Sequence, residues 1–336
     1  TESILNITDG QREIPLHIRN RFDFLNLKDN ASFSWTLTED RDTVCSGAFS
    51  PDCRPHATTT YSLSLPTSPD TDKICILNIE IGDAHGNTFN RQAIRINPAD
   101  ITRRLLDGLD ETTDNPMSLV QGGVMVRAGR KATLAEKLKV GDKRLEKYLL
   151  TLSADGASAG TIKTDIKTEQ EGNATHYTFA LTPDTTDTFL SELGIAFLLD
   201  KKIDRVQWIG QGMMPTYPGR YRAGRYGFWA MQQGDLYFEG NRRGVDAAML
   251  TDGNGDGLLL VCNNGNVSFE QTDRGIVLTY NAAVSGEGPK FARTAFPVIA
   301  NKVGTVGGDF YLYRIDKTKT PQLLRTLFVA PKTVPA

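Results

Sequence analysis

The residues best suited to chemistry in this sequence gather between Trp208 and Arg243. Trp208 and Tyr217 offer rings that stack on a pyranose, while Arg220, Glu239, Asn241 and Arg242 offer groups that hydrogen-bond its hydroxyls. These six are the candidate substrate contacts. The same stretch has a structural reading, which we favour. Gly210, Gly212 and Pro218 shape a tight loop, Trp208 fills core, and Arg220 holds the loop by hydrogen bonds. Arg222, Arg225, Arg242 and Arg243 add positive charge, but Asp235, Glu239 and Asp246 can balance it, which suits a loop-bracing network better than an anion site. Tyr217, Tyr221, Tyr226, Phe228 and Trp229 would make a sugar-binding face if exposed, and are equally what a packed β core requires.

Other chemistries find less support. Asp252-Gly253-Asn254-Gly255-Asp256-Gly257 imitates the start of a calcium loop, which needs oxygen ligands at alternating positions. Its twelfth position is Asn263 instead of the bidentate Glu such a loop requires. A hairpin turn between apolar strands, with Gly supplying positive φ, accounts for it better. The chain has four cysteines and no CxxC pair, so a structural zinc site is not expected. Cys45 and Cys53 are close enough in sequence to bridge, and equally compatible with free thiols. Cys75 and Cys262 lie in apolar runs, as small core residues do. No metal or other cofactor is expected.

The elements that position these residues are strands. Leu16–Asn20, Phe33–Leu37, Tyr61–Leu65 and Ala93–Ile96 alternate apolar and polar residues, with turn-forming clusters between them. That spacing predicts an immunoglobulin-like sandwich over residues 1–98. Ile101, Leu105, Leu106 and Leu109 stand at near-helical spacing, and the polar run Asp110–Asn115 follows, so 99–115 reads as a linker with one short helix. From Leu119 the β pattern resumes through Val124–Arg127, Tyr148–Leu152, Tyr177–Leu181, Ile195–Leu199, Leu258–Val261 and Phe310–Tyr313. Such a density of strands predicts one large β-sandwich over 116–336. No alternating βαβα pattern is present, which excludes nucleotide-binding folds and parallel barrels.

The 336 residues are 39% hydrophobic with a formal charge of -2, enough apolar content for a core and no long-range field for nucleic acid or anionic membrane. No apolar run approaches the roughly 20 residues of a spanning helix, so no membrane partner is expected. The first residues do not resemble a signal peptide and lack Met, so the chain reads as a fragment of something longer.

Two segments resemble the tail of family 2 glycoside hydrolases, the family of the large β-galactosidases. Leu16-His17-Ile18-Arg19-Asn20-Arg21-Phe22-Asp23-Phe24-Leu25-Asn26-Leu27, followed by Phe33–Leu37 centred on Trp35, resembles the opening of the immunoglobulin-like domain after the catalytic barrel. Leu193-Gly194-Ile195, Val206–Gly212, Tyr217-Pro218 and Arg220, then Tyr237–Arg242 and Gly257–Val261, recur in the order of that family's C-terminal domain. Met213, Pro215 and Gly219 depart from the family's Pro, Glu and Asp. The family also commonly places a late Trp on a Gly-Gly-Asp loop against the sugar. Here Gly307-Gly308-Asp309 precedes Phe310-Tyr311, so that platform is replaced by a weaker aromatic or absent.

The resemblance implies an all-β chain, an immunoglobulin-like sandwich followed by a galactose-mutarotase-like β-sandwich. It implies a non-catalytic region that braces the catalytic barrel of a parent bacterial β-galactosidase and contributes to the rim of its sugar pocket. The two catalytic carboxylates, roughly 5 Å apart in a retaining enzyme, would lie upstream on the barrel, so the chain alone is not expected to be an enzyme. The expected partners are the barrel, carbohydrate and sister subunits, in either the periplasm or the cytoplasm. A free-standing carbohydrate-binding module is the alternative. An epimerase, which needs a paired acid and base, is disfavoured: His17, His56 and His85 lie in the first domain, leaving His176 alone and read as an edge residue.

Overall fold

The computed structural model describes residues 3–109, 119–128, 131–134, 160–171, 174–185, 189–190, 192–286, 298–299, 301–316, 318 and 320–328. The polar run Asp110–Asn115 and the strand expected at Tyr148–Leu152 lie outside these residues. By internal contacts the chain divides into two units, Thr1–Ile101 with Arg225–Gly227, and Thr102–Gly224 with Phe228–Ala336.

The first unit contains β1 (Ser3–Leu5), β2 (Glu13–Arg19), a one-turn helix α1 (Leu27–Asn30), β3 (Ala31–Glu39), β4 (Asp42–Phe49), β5 (Thr58–Ser64), β6 (Cys75–Asp83) and β7 (Thr88–Ile96). Five strands form one sheet in the order β1-β7-β6-β3-β4, and β2 pairs with β5 in the other. The period-2 pattern explains the packing, because alternate residues face the gap between sheets. Thus β3 buries Phe33, Trp35 and Leu37, β6 buries Cys75, Leu77 and Ile79, and β2 buries Ile14 and Leu16. Phe49 of β4 stacks on Tyr61 of β5 at 4.8 Å, an aromatic tie between the two sheets. Gly47 stands opposite Trp35, where a Cβ would sit 2.9 Å from the indole nitrogen. This is the immunoglobulin-like sandwich that the alternation predicts.

A short helix α2 (Ile101–Asp107) follows, with Leu105 and Leu109 buried. The second unit holds β8 (Leu119–Ala128), β9 (Lys131–Leu134), β10 (Gly160–Glu171), β11 (Ala174–Thr185), β12 (Phe189–Leu190), β13 (Glu192–Leu199), β14 (Ile203–Gly212), β15 (Arg225–Gln232), β16 (Gly240–Asp252), β17 (Gly257–Thr272), β18 (Gly275–Val284), β19 (Val298–Ile299), β20 (Val306–Ile315) and α3 (Gln322–Phe328). The main ladder runs β10-β11-β20-β17-β18-β13-β8-β9, with β16 pairing β17, and β14 pairing both β15 and β16.

The long strand β17 makes a sandwich from one connected ladder. Its first residues pair with β20 and its last with β18, so the strand changes neighbours along its length. Every residue of β13 is buried, so that strand has no solvent side and reads as a continuous apolar run. The core it enters includes Tyr177, Phe197, Trp208, Phe269 and Phe310, with Tyr177 stacked on Phe310 at 5.0 Å.

All four cysteines are free, with Cys45 half-buried and Cys53, Cys75 and Cys262 buried. Burial pushes the Cys75 thiol up to about 12 and raises Cys45 and Cys262 as well. Only the thiolate attacks a disulfide reagent. In the native chain Cys45 should therefore react first with such a reagent, and the other three only on unfolding. Four thiols titrated in denaturant without reductant is the expected count, and a count of two would mean a bridge.

Candidate functional site

The strand β14 ends in the Trp-x-Gly-x-Gly run, and the chain then loops through Thr216 and Tyr217 before β15. Trp208 is 1% exposed. Its indole nitrogen donates to the Gln211 carbonyl oxygen at 3.0 Å, and Trp229 donates likewise to Gly210. The two indoles stack at 6.5 Å, and a Cβ on Gly212 would sit within 2.8 Å of both rings. Gly212 is thus the space that lets the two tryptophans close around the strand end. A ring packed this way has no free face for a sugar.

Asn241 and Arg242, at the start of β16, are each 0% exposed. The Asn241 side-chain nitrogen donates to the Thr216 carbonyl oxygen at 2.9 Å, and the Thr216 backbone N–H donates back to the Asn241 carbonyl at 2.7 Å. The Tyr217 hydroxyl accepts from the Asn241 backbone N–H at 3.2 Å, which fixes the buried phenol. On its other side the Asn241 amide oxygen accepts from Asn281 at 3.1 Å, and Asn281 also donates to the Ser268 hydroxyl at 2.6 Å. Ser268 in turn donates to the Glu192 carboxylate at 2.7 Å. One buried network therefore joins the loop after β14 to β13, β16, β17 and β18.

Arg242 places its guanidinium beside two rings, 5.2 Å from the Trp208 centroid and 5.3 Å from that of Phe269. Its terminal nitrogens donate to the carbonyl oxygens of Gly240 and Tyr237, and one also contacts the Met231 sulfur. Burial pushes this guanidinium down to about 10, with the Tyr217 phenol pulling the other way. The carboxylates expected to balance the charge also accept from backbone N–H groups. Asp235 accepts from Gln232, Glu239 from Gln271, and Asp246 from Asn264.

Two of the six candidates reach solvent. Glu239 is exposed, as is Arg220. Among the described residues the Arg220 side chain makes no hydrogen bond, and its backbone N–H donates to the Tyr217 carbonyl at 2.8 Å. Of the five aromatics of this stretch, Tyr217 and Tyr226 are buried and Tyr221, Phe228 and Trp229 half-buried. None is exposed.

A second cluster was not anticipated. His176 lies on β11, which is flanked by β10 and β20, so it is an interior-strand residue and not an edge one. Its ring stacks on Tyr311 at 4.2 Å, with Glu171 2.9 Å from one ring nitrogen and Asp309 3.6 Å from the other. Burial first, then the Glu171 and Asp309 charges, raises the Tyr311 phenol. The register His176 opposite Tyr311 creates the cluster, and no local pattern announces a pairing between segments so distant in the chain.

Gly307-Gly308-Asp309 is part of strand β20 and not a loop. A Cβ on Gly307 would sit 2.1 Å from the Phe179 carbonyl oxygen, and one on Gly308 2.6 Å from the Tyr280 ring. These glycines serve close strand packing. Phe310 is 0% exposed in the core, and Tyr311 is half-buried. At the β16–β17 turn, Asp252 accepts from the backbone N–H groups of Asn254 and Asp256, which is the hairpin reading. Among the described residues no group of His, Cys, Asp and Glu is arranged to hold a metal ion.

An immunoglobulin-like sandwich followed by a large β-sandwich, with its Trp-Gly loop buried, defines an all-β chain of two sandwiches. Residues 16–89 match the family model described as β-galactosidase, domain 4, and residues 113–291 match that described as β-galactosidase small chain. The second match covers more than half of the sequence, and the chain belongs to that β-galactosidase small-chain family. A comparison with curated proteins gives no match.

If Arg242 is a brace, Arg242→Lys should destabilise the second unit by roughly 2 kcal/mol, because one ammonium cannot replace the fork that reaches two carbonyls. Urea unfolding measures this. Unchanged stability together with weakened galactose binding would instead make Arg242 a ligand residue.

Proposed function

We propose that this chain is the non-catalytic C-terminal region of a bacterial β-galactosidase-like glycoside hydrolase. In this reading the two units brace the catalytic barrel of the parent, and the large sandwich, of galactose-mutarotase type, shapes the rim of its sugar pocket. The observation that carries the reading is the pair of β-galactosidase family matches in chain order, residues 16–89 and then 113–291. The burial of Trp208, Tyr217, Asn241 and Arg242 supports bracing over sugar contact. Arg220 and Glu239, which reach solvent, are the candidates left for the rim.

The alternative, a free-standing carbohydrate-binding module, has one observation in its favour. The half-buried Tyr311–His176 stack flanked by Glu171 and Asp309 brings a ring and two hydrogen-bond acceptors together.

The test is hydrolysis of a chromogenic β-galactoside by the 336-residue chain, with galactose binding followed by calorimetry. No turnover is expected. Turnover abolished by a single Glu or Asp substitution would sink the bracing role. Saturable binding lost in Tyr311→Ala would favour the binding module.

A further inference from the structure

Strand β10 stands at the end of the main ladder of the second unit, and among the described residues it pairs only with β11. An edge strand offers a row of backbone donors and acceptors to any other strand, and a protein answers that either with charge or with a partner. The side chains of β10 alternate strictly. Ile162, Thr164 and Ile166 are buried, whereas Lys163, Asp165, Lys167 and Glu169 are exposed. Across β11 the charged residues stand opposite Thr182, Ala180, Thr178 and His176 in turn. The neighbouring strand therefore sets no carboxylate opposite either lysine and no cation opposite Asp165.

The order of these charges is informative. It reads plus, minus, plus, minus, and reversing the strand about Ile166 inverts every sign. An antiparallel copy centred on Ile166 sets Lys163 against Glu169 and Asp165 against Lys167, and the two-fold axis repeats both pairs. Neighbouring registers fail. A slip of two residues in one direction sets Lys163 against Lys167 and Asp165 against its own copy. The opposite slip sets Asp165 against Glu169 and Lys167 against its own copy. A parallel copy in register sets each charge against its like, and a slip of one residue exchanges the buried face for the exposed one.

A foreign strand needs only to complement β10 and places no condition on the symmetry of its charges. A bare edge is guarded by charge in any order. Inversion about one residue is the condition that an identical, antiparallel strand imposes. The inner face agrees with it, because the same register sets Ile166 against Ile166 and Thr164 against Thr168. Thr164 is 4% exposed, and its hydroxyl has no hydrogen-bond partner among the described residues. Cross-strand Thr pairs hydrogen-bond in antiparallel sheets. We propose that β10 is a self-pairing edge, by which two copies of this chain join antiparallel about Ile166 and continue one sheet across a two-fold axis. The inference holds whether the chain braces a neighbour or binds sugar.

Sedimentation velocity of the 336-residue chain over a dilution series tests it. A reversible dimer is expected. Asp165→Lys sets a lysine against Lys167 on both sides of the axis and should weaken the dimer by about tenfold. Adding Lys167→Asp to that variant reverses both members of the pair and should restore the dimer. Far-ultraviolet circular dichroism should be unchanged in both variants, which separates loss of the dimer from loss of the fold. Zero-length carbodiimide coupling should join Lys163 to Glu169 in the dimer, a product that must come from two chains because six residues of strand span about 20 Å. A monomer at every concentration overturns the proposal, with the edge then bare or covered within the chain. A dimer indifferent to Asp165→Lys overturns it by placing the interface elsewhere. A dimer that the double variant fails to restore overturns the register.

Discussion

The second unit depends on one buried amide. Asn241 has no exposed surface, yet its side chain and its backbone bond in four directions, to Thr216, Tyr217, Asn281 and the Ser268 region. Burying an amide without partners costs about 1–3 kcal/mol per unsatisfied group. The loop after β14 must therefore lie where Thr216 and Tyr217 can meet that demand. Once it does, the ends of β16, β17 and β18 are held in register by side chains as well as by their ladder, and the two tryptophans around Gly212 have a fixed wall to pack on. Within this network the amide of Asn241 is satisfied, while the Asn281 amide oxygen is buried with no hydrogen-bond partner among the described residues.

How much was legible in the sequence follows from the range of the forces involved. Alternation is local, so Phe33, Trp35 and Leu37 announce their shared face, and the immunoglobulin-like sandwich follows from that pattern alone. The continuous apolar run of β13 likewise announces a strand covered on both sides. The identity of the partners of Asn241 is not local. Its bonds reach Thr216 and Asn281 through loop closure and strand register, and no spacing rule encodes either. The same limit hid the His176 cluster, whose members come from β10, β11 and β20.

Glycines show the limit from another side. Gly307 and Gly308 before an Asp resemble the Gly-Gly-Asp loop of the family when read along the chain. In the fold they are strand residues without a side chain because the Phe179 carbonyl and the Tyr280 ring occupy the space. The absence of a Cβ has two physical uses, freedom of φ and closeness of approach, and only tertiary context tells which applies. Gly212, between Trp208 and Trp229, is a second instance of closeness.

The same distinction bears on function. Indole, guanidinium and amide groups are the usual vocabulary of sugar recognition, and they are also the groups that brace an interior when their donors are directed at carbonyls. Exposure decides between the two uses. Arg242 spends its terminal nitrogens on Gly240 and Tyr237 and its charge on two aromatic faces, while its Nε is buried with no hydrogen-bond partner among the described residues. Phe24, which a composition-led search for chemistry passes over, is nearly bare to solvent on a pinned loop. In this chain Asn241 and Arg242 turn inward, while Phe24 stays outside as an apolar surface.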